Sequence, residues 1–352
     1  MNVDFIIVGQ GISGTLLQWF LHQEGQSFMV IDNGSDRASS KVAAGIINPV
    51  TGRRYQTTWK ADELLPFAVR TYGELGNFFG TTYLHPKSVI DFFPSAQARN
   101  IFVERVEAGN AYLSPYPDQN DYNPYVHYDF GCGRIHPAYV TSLGALLADW
   151  RGWLRREGRL REEHFAPELV QPEAEGVVYG DITAQKVIFC EGAPGDQNPW
   201  FRLLPFAPNK GEALFIECKD LPATHILKKG FLLAPLAEPG MFWAGSSYAW
   251  EDLESGPTEA FRLRTEALLD GMLRVPYKVL DHKAAVRPAT VERRPFIGLH
   301  PGHPQIGIFN GMGTKGTSLS PYFAQQLVNH LLHGAPLTPE ADVSRFSRLL
   351  SR

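Results

Sequence analysis

Val3-Asp4-Phe5-Ile6-Ile7-Val8-Gly9-Gln10-Gly11-Ile12-Ser13-Gly14 is the stretch whose reading decides the fold. Val3 to Val8 is a short, mostly apolar, β-branched run, the composition of a strand buried in a parallel sheet. Three glycines follow in G-x-G-x-x-G spacing, and then Leu16, Leu17, Phe20 and Leu21 recur with helical period. A second apolar run, Phe28 to Ile31, ends on Asp32. Strand, turn, helix and strand make one dinucleotide-type unit. Gly9 permits the tight turn, Gly11 lets a diphosphate approach the backbone, and Gly14 lets the helix pack close to the strand. The helix N-terminus offers N–H groups and a positive dipole end to phosphates. Asp32 can accept hydrogen bonds from a ribose hydroxyl and disfavours a 2′-phosphate. An adenine dinucleotide is expected, and the fingerprint leaves FAD and NAD both open.

The bulk composition narrows the class. At 352 residues the chain has room for two domains, and 44% hydrophobic with 20% charged residues is the balance of a soluble globular protein. A net charge of -4 argues against a nucleic-acid surface. Basic pairs such as Arg53-Arg54 and Lys228-Lys229 do not extend into runs. Cys132, Cys190 and Cys218 have no C-x-x-C spacing, so neither a disulfide framework nor a zinc site is expected. His300 and His303 fall in a Pro/Gly-rich stretch and read as loop, so no metal site is expected. No basic-then-apolar leader and no membrane-length apolar run stands out, and a reducing cytoplasmic setting is the expectation.

Further along, a helix is expected near Ala61–Phe79, in an aromatic-rich region from about Tyr55 to Tyr128. Lys186–Cys190, Ala213–Glu217, Gly230–Ala234, Met241–Ala244 and Ile306–Asn310 read as strands, and Thr258–Leu273 as a helix. Gly311-Met312-Gly313-Thr314-Lys315-Gly316 is a glycine-rich loop. A last helix is expected to open at Ser320-Pro321 and close near Gly334, as capping preferences suggest.

Five further segments resemble the FAD-dependent D-amino-acid oxidase family, which includes glycine oxidase and sarcosine oxidase. Ser39-Ser40-Lys41-Val42-Ala43-Ala44-Gly45, continuing into Asn48-Pro49, resembles the family's small-residue segment beside the flavin. Gly133-Arg134-Ile135-His136-Pro137 is similar to its entry into a crossover. Val187–Ala193 resembles its second dinucleotide-contact strand, and Pro208-Asn209-Lys210-Gly211-Glu212 a later family turn. Val286–Gly298, which contains Arg287-Pro288-Ala289-Thr290, is the most specific match, and the glycine loop and terminal helix follow it. The matches run in order from Val3 to about Leu332, loosely between Tyr55 and Asp129.

The resemblance implies an α/β fold: a Rossmann-type FAD-binding domain with an interleaved substrate domain on a mixed or antiparallel sheet. The FAD domain is expected at 1–56, 135–210 and 285–352, and the substrate domain at 57–134 and 211–284. The cofactor-binding set expected is Gly9, Gly11, Ile12, Ser13, Gly14, Asp32, Asn33, Ser40, Ala44, Gly45, Gly192, Ala193, Arg287, Gly311, Gly313, Thr314, Lys315, Gly316 and Thr317. The sarcosine oxidases' flavin-linking cysteine would fall near Ala285, so the FAD is expected to be non-covalent.

Arg287 sits where the family holds the arginine that grips a substrate carboxylate, a fit for a planar guanidinium. Its alternative is a structural pairing with Glu292. The substrate-orienting tyrosine of glycine oxidase is replaced near Phe231, which leaves Tyr248 as a candidate substitute. The oxygen-activating lysine of sarcosine oxidases has no counterpart near Ala244. Arg53 follows the flavin-side segment and is the third candidate for substrate contact. The implied activity is oxidation of a C–N bond of a small amine or amino acid by hydride transfer to flavin N5. Oxygen or another carrier would take the electrons. Three alternatives stand beside it: an enzyme like the oxidase domain acting on a modified tRNA uridine, an amine dehydrogenase with a non-oxygen acceptor, and a flavin-binding protein without turnover. A plain NAD dehydrogenase remains a further possibility on the fingerprint alone.

Overall fold

The computed structural model describes residues 1–351 and has mixed α/β architecture. It separates into two compact units. The first comprises Met1–Lys41, Leu143–Asn209 and Val286–Arg352, and the second Val42–Ser142 and Lys210–Ala285. Among the described residues, no helix is long and apolar enough to cross a membrane.

The first unit is built on four parallel strands lying side by side: Phe28–Ile31, Asn2–Val8, Ile182–Phe189 and His303–Asn310. Phe296–His300 adds an antiparallel strand at one end, and Leu160–Arg161 a parallel one at the other. Ile6, Val8, Met29, Ile31, Val187, Phe189, Ile306 and Ile308 share one apolar core with Phe201 and Phe296. The alternate residues Ile7, Val30, Ile188 and Phe309 are equally buried. Both faces of the sheet are therefore covered, which is why its strands read as continuous apolar runs rather than alternating ones.

Helices Ile12–Gln23 and Gly316–His333 begin side by side in this unit. A Cβ on Gly316 would come within 3.1 Å of Ile12 Cγ2, and the Ser13 and Ser320 hydroxyls are 3.4 Å apart. The terminal helix starts one turn earlier than its capping residues suggest, and Pro321 lies inside it. Lys315 is the N-cap, and its carbonyl accepts from the Ser318 and Leu319 N–H groups. The helix stops where expected, at Gly334 with φ 66°.

The second unit is a curled mixed sheet. Its strand order is Lys278–Arg287, Asn209–Glu217, Met241–Gly245, Leu232–Pro235, Ile226–Lys228, Leu84–Phe92, Cys132–Thr141, Ile46–Ile47. Ile226–Lys228 runs parallel to Leu84–Phe92, whereas the strand pairs around them are antiparallel. Neighbouring residues go to opposite faces, as the pleat requires. Leu214, Leu227 and Phe242 pack with Leu269 of helix Glu259–Asp270, while Ala213, Ile226 and Trp243 pack with Tyr55 and Phe102.

The unit boundaries differ from those expected. Residues 42–56 and 135–142 belong to the sheet unit because Ile46 and Ile47 pair with Val140 and Tyr139. That strand in turn pairs with Leu84–Phe92. Gly45 makes the approach possible: at φ 70°, an added Cβ would meet the Thr141 carbonyl oxygen at 2.0 Å. The expected helix over Ala61–Phe79 is present, and a further one, Ala96–Glu107, was not foreseen. His300 and His303, read as loop, are strand residues that flank a tight turn.

Candidate functional site

The glycine fingerprint folds for steric reasons that can be read atom by atom. Gly9 has φ 101°, and an added Cβ would meet the Cys190 carbonyl oxygen at 2.6 Å. A Cβ on Gly14 would meet the Gly9 carbonyl oxygen at 2.0 Å. Both positions exclude any side chain. Gly11 is different: a Cβ there would meet only Ser40 Oγ, at 3.5 Å. The backbone around the second glycine therefore stays open to an incoming group. Gly11 is also the N-cap of its helix and contributes no capping side chain. Ser40 supplies one partner, accepting from the Ile12 N–H at 3.1 Å.

Two helix N-termini start at this place, one at Ile12 and one at Gly316, and their dipoles add in the same sense. An anion-binding cradle is the physical consequence. Asp32 ends the second strand beside it. Its carboxylate accepts from the Gln10 N–H at 2.8 Å, the Gly34 N–H at 2.8 Å and Arg151 Nη1 at 2.6 Å. Arg151 also donates to Gln10 Oε1 and to Glu162. Sequence reasoning placed Asp32 but missed Arg151, since a helix residue so far along the chain carries no local signal.

On the other side of the cradle, the segment after Arg287 packs on the glycine loop. The Gly313 N–H donates to the Pro288 carbonyl at 3.0 Å, and a Cβ on Gly311 would meet Thr290 Cγ2 at 2.8 Å. Arg287 ends its strand and donates from Nη1 to Asn209 Oδ1 at 2.8 Å. Glu292, the alternative partner, pairs with Arg345 at 2.7 Å. Asn209 is a site residue that sequence reasoning passed over, although it lies inside the turn Pro208–Glu212 that was singled out. Asn310 is another: its amide donates to the Gly192 carbonyl and its oxygen accepts from the Gly311 N–H, tying two strand ends together.

Lys315 sits in the glycine loop at the start of the terminal helix. The residue is partly exposed, yet its ammonium group is enclosed, and that burial lowers its pKa to about 8. A cation held this way is poised to gain from a nearby negative charge.

The first unit thus brings together Gly9, Gly11, Ile12, Ser13, Gly14, Asp32, Ser40, Gly192, Gly311, Gly316, Lys315 and Arg287. Asn33 is a loop residue whose side chain accepts from the Ser35 N–H. Ala193, Gly313, Thr314 and Thr317 also belong to the first unit, and Ala44, Gly45, Arg53 and Tyr248 lie in the second. Ala44 is buried against its sheet, and Arg53 is exposed at the tip of a hairpin between Val50–Thr51 and Gln56–Thr57. Tyr55, beside it, is buried with φ 51° and hydrogen-bonds Asp91, which also accepts from Lys228 at 2.6 Å. Tyr248 is 55% exposed and stacks near Trp250, on a loop that follows Met241–Gly245.

Comparison with known proteins adds a family. Residues 4–330 match the model of the DAO family of FAD-dependent oxidoreductases. The chain is 26% identical to the glycine oxidase of Pseudomonas putida, over 99% of this chain and the whole of that protein. Its fold is similar to that of glycine oxidase from Geobacillus kaustophilus, with a TM-score of 0.79, 18% identity and 98% of each chain covered. L-Proline dehydrogenase from P. horikoshii gives a TM-score of 0.77 at 15% identity, covering 99% of this chain and 98% of that one.

Proposed function

The chain belongs to the FAD-dependent oxidoreductase (DAO) family, and on that premise we propose that it oxidises a carbon–nitrogen bond of a small amine or amino acid. The cradle fits the family's cofactor. Gly11 leaves the backbone open where a diphosphate needs access, and the helix N-terminus beside it favours an anion. Gly9, Gly11 to Gly14, Asp32, Asn33, Ser40, Ala44, Gly45, Gly192 and Ala193 would hold it, together with Gly311, Gly313 and Thr314 to Thr317. Position 285 is an alanine, which favours non-covalent attachment.

FAD, when bound, supplies the electron sink, accepting a hydride from the carbon beside the amine. The work of this chain is then orientation and electrostatics. Arg287 would hold a substrate carboxylate through its planar fork, with Asn209 Oδ1 accepting from its Nη1. Lys315 and the N-terminus of the terminal helix would oppose the negative charge that arrives with the electrons. Tyr248 and Arg53, both on the second unit, are the further candidates for substrate contact. Water would hydrolyse the imine product, and oxygen or another acceptor would take the electron pair onward.

One observation carries the reading: Arg287 leads directly into the segment that packs on the glycine loop, so its grip and the cradle share one unit. The similarity to glycine oxidases supports a small substrate. Arg287→Ala tests it. The variant is expected to keep its FAD and lose at least about a hundredfold in the rate of reduction by a carboxylate-bearing substrate. An unchanged rate would remove Arg287 from the site.

A further inference from the structure

Val8, Phe189 and Ile308 are level with one another across three neighbouring parallel strands. Two residues further along each strand stand Gln10, Glu191 and Asn310, at the carboxyl edge where open α/β sheets bind their ligands. Both amides are hydrogen-bonded through nitrogen and oxygen. Gln10 bonds Thr15, the Leu147 carbonyl and Arg151, while Asn310 bonds the Gly192 carbonyl and the Gly311 N–H. Glu191 is different in kind. Its carboxyl group has one hydrogen-bond partner among the described residues, the neutral side-chain amide of Asn198 at 2.8 Å.

That carboxyl is enclosed, although the residue as a whole is partly exposed. Its backbone packs on the fingerprint, since a Cβ on Gly9 would stand 3.5 Å from Glu191 Cα. Among the described residues, no cation is paired with it. An enclosed carboxylate without a cation is costly, and an anionic cofactor brought to the same edge makes it costlier.

We infer that FAD loading in this protein is linked to proton uptake by Glu191, which makes cofactor retention weaken as the carboxyl ionises. The inference rests on the fingerprint being the FAD site. Burial raises the Glu191 pKa to about 7, which places the ionisation in the neutral range. The sign is fixed by linkage. Below about pH 7 the group already carries its proton, and FAD binding needs none. Above it, the proton must be taken up on binding, so affinity falls as pH rises.

Among the described residues, the ionisable groups on the chain segments next to Glu191 are few. Its own strand end brings the buried Cys190 thiol, whose pKa is raised by burial and by Glu191 itself. The turn Ala193–Asp196 brings Asp196, whose carboxylate accepts from Gln197 at 3.2 Å. The fingerprint turn and the His303–Asn310 strand bring only the amides of Gln10 and Asn310. Lys315, in the glycine loop, ionises near 8 and sets the upper limit of a clean window.

The test is FAD binding to apoprotein, followed by flavin fluorescence without substrate, so the choice of substrate does not enter. In the wild type the dissociation constant is expected to rise about fourfold between about pH 6 and about pH 7.5. In Glu191→Gln, which preserves an acceptor for Asn198, it is expected to stay flat. Should that variant not fold, calorimetry on wild type in buffers of different ionisation heat reads the same quantity, about half a proton taken up per FAD at pH 7. A flat wild-type curve, an unchanged curve in Glu191→Gln, or no proton uptake would overturn the inference. Gly11→Val separates the two layers. If it retains wild-type FAD affinity, the fingerprint reading falls and the linkage with it. If it loses FAD while Glu191→Gln keeps the wild-type curve, the linkage alone falls.

Discussion

Gly14 has no room for a methyl group. The Gly9 carbonyl oxygen stands 2.0 Å from where its Cβ would be, and the contact is backbone on both sides. Gly14→Ala must push the helix off the strand and distort the turn that carries Gly11. Overpacking of this kind costs about 1–3 kcal/mol, and the cradle geometry goes with it. The expected outcome is a lower melting temperature and a purified protein depleted of FAD. A variant that binds FAD normally would refute the steric argument. These glycines were legible because their reasons are local: turn, approach and close packing all operate within a few residues. Asn209 behind Arg287 and Asn310 across two strand ends were not, because each acts on a partner distant in sequence.

Elements were read well where periodicity was strong and poorly where tertiary contacts override local signals. The first strand, helix and second strand stand where the apolar spacing put them, and so does the helix Ala61–Phe79. The terminal helix was misread at its start. Ser320-Pro321 looks like a cap followed by a first turn, yet Gly316 already begins the helix, and packing against Ile12 holds that extra turn. The same principle governs Arg151, whose helix Leu143–Arg156 is fixed to the fingerprint through Asp32 and Gln10. Arg151 and Asp32 are mostly buried side chains, so removing one partner leaves a poorly solvated charge. Arg151→Ala is expected to lower unfolding free energy by about 1–3 kcal/mol and to loosen FAD at neutral pH. Denaturant unfolding of the apoprotein with a parallel FAD titration checks both, and an unchanged titration would show that the anchor does not reach the cradle.

At the scale of the whole molecule, two units are woven from alternating pieces of one chain. The weave was legible in outline, because dinucleotide-type segments at the beginning and end enclose a meander that cannot belong to them. Its seams were not. Whether residues 42–56 and 135–142 join one unit or the other depends on Ile46 and Ile47 pairing with a strand some ninety residues away, about which local sequence is silent. Arg53 and Tyr248 both belong to the second unit. The central claim is that this family member draws electrons from a small amine or amino acid, and anaerobic reduction reads it directly. The yellow protein is mixed without oxygen with glycine, sarcosine, D-amino acids and L-proline, and flavin absorbance is followed. The account predicts bleaching by at least one of them, slowed at least about a hundredfold in Arg287→Ala. Failure of every compound to bleach FAD that dithionite does reduce would contradict it and point to a larger amine or a modified nucleoside.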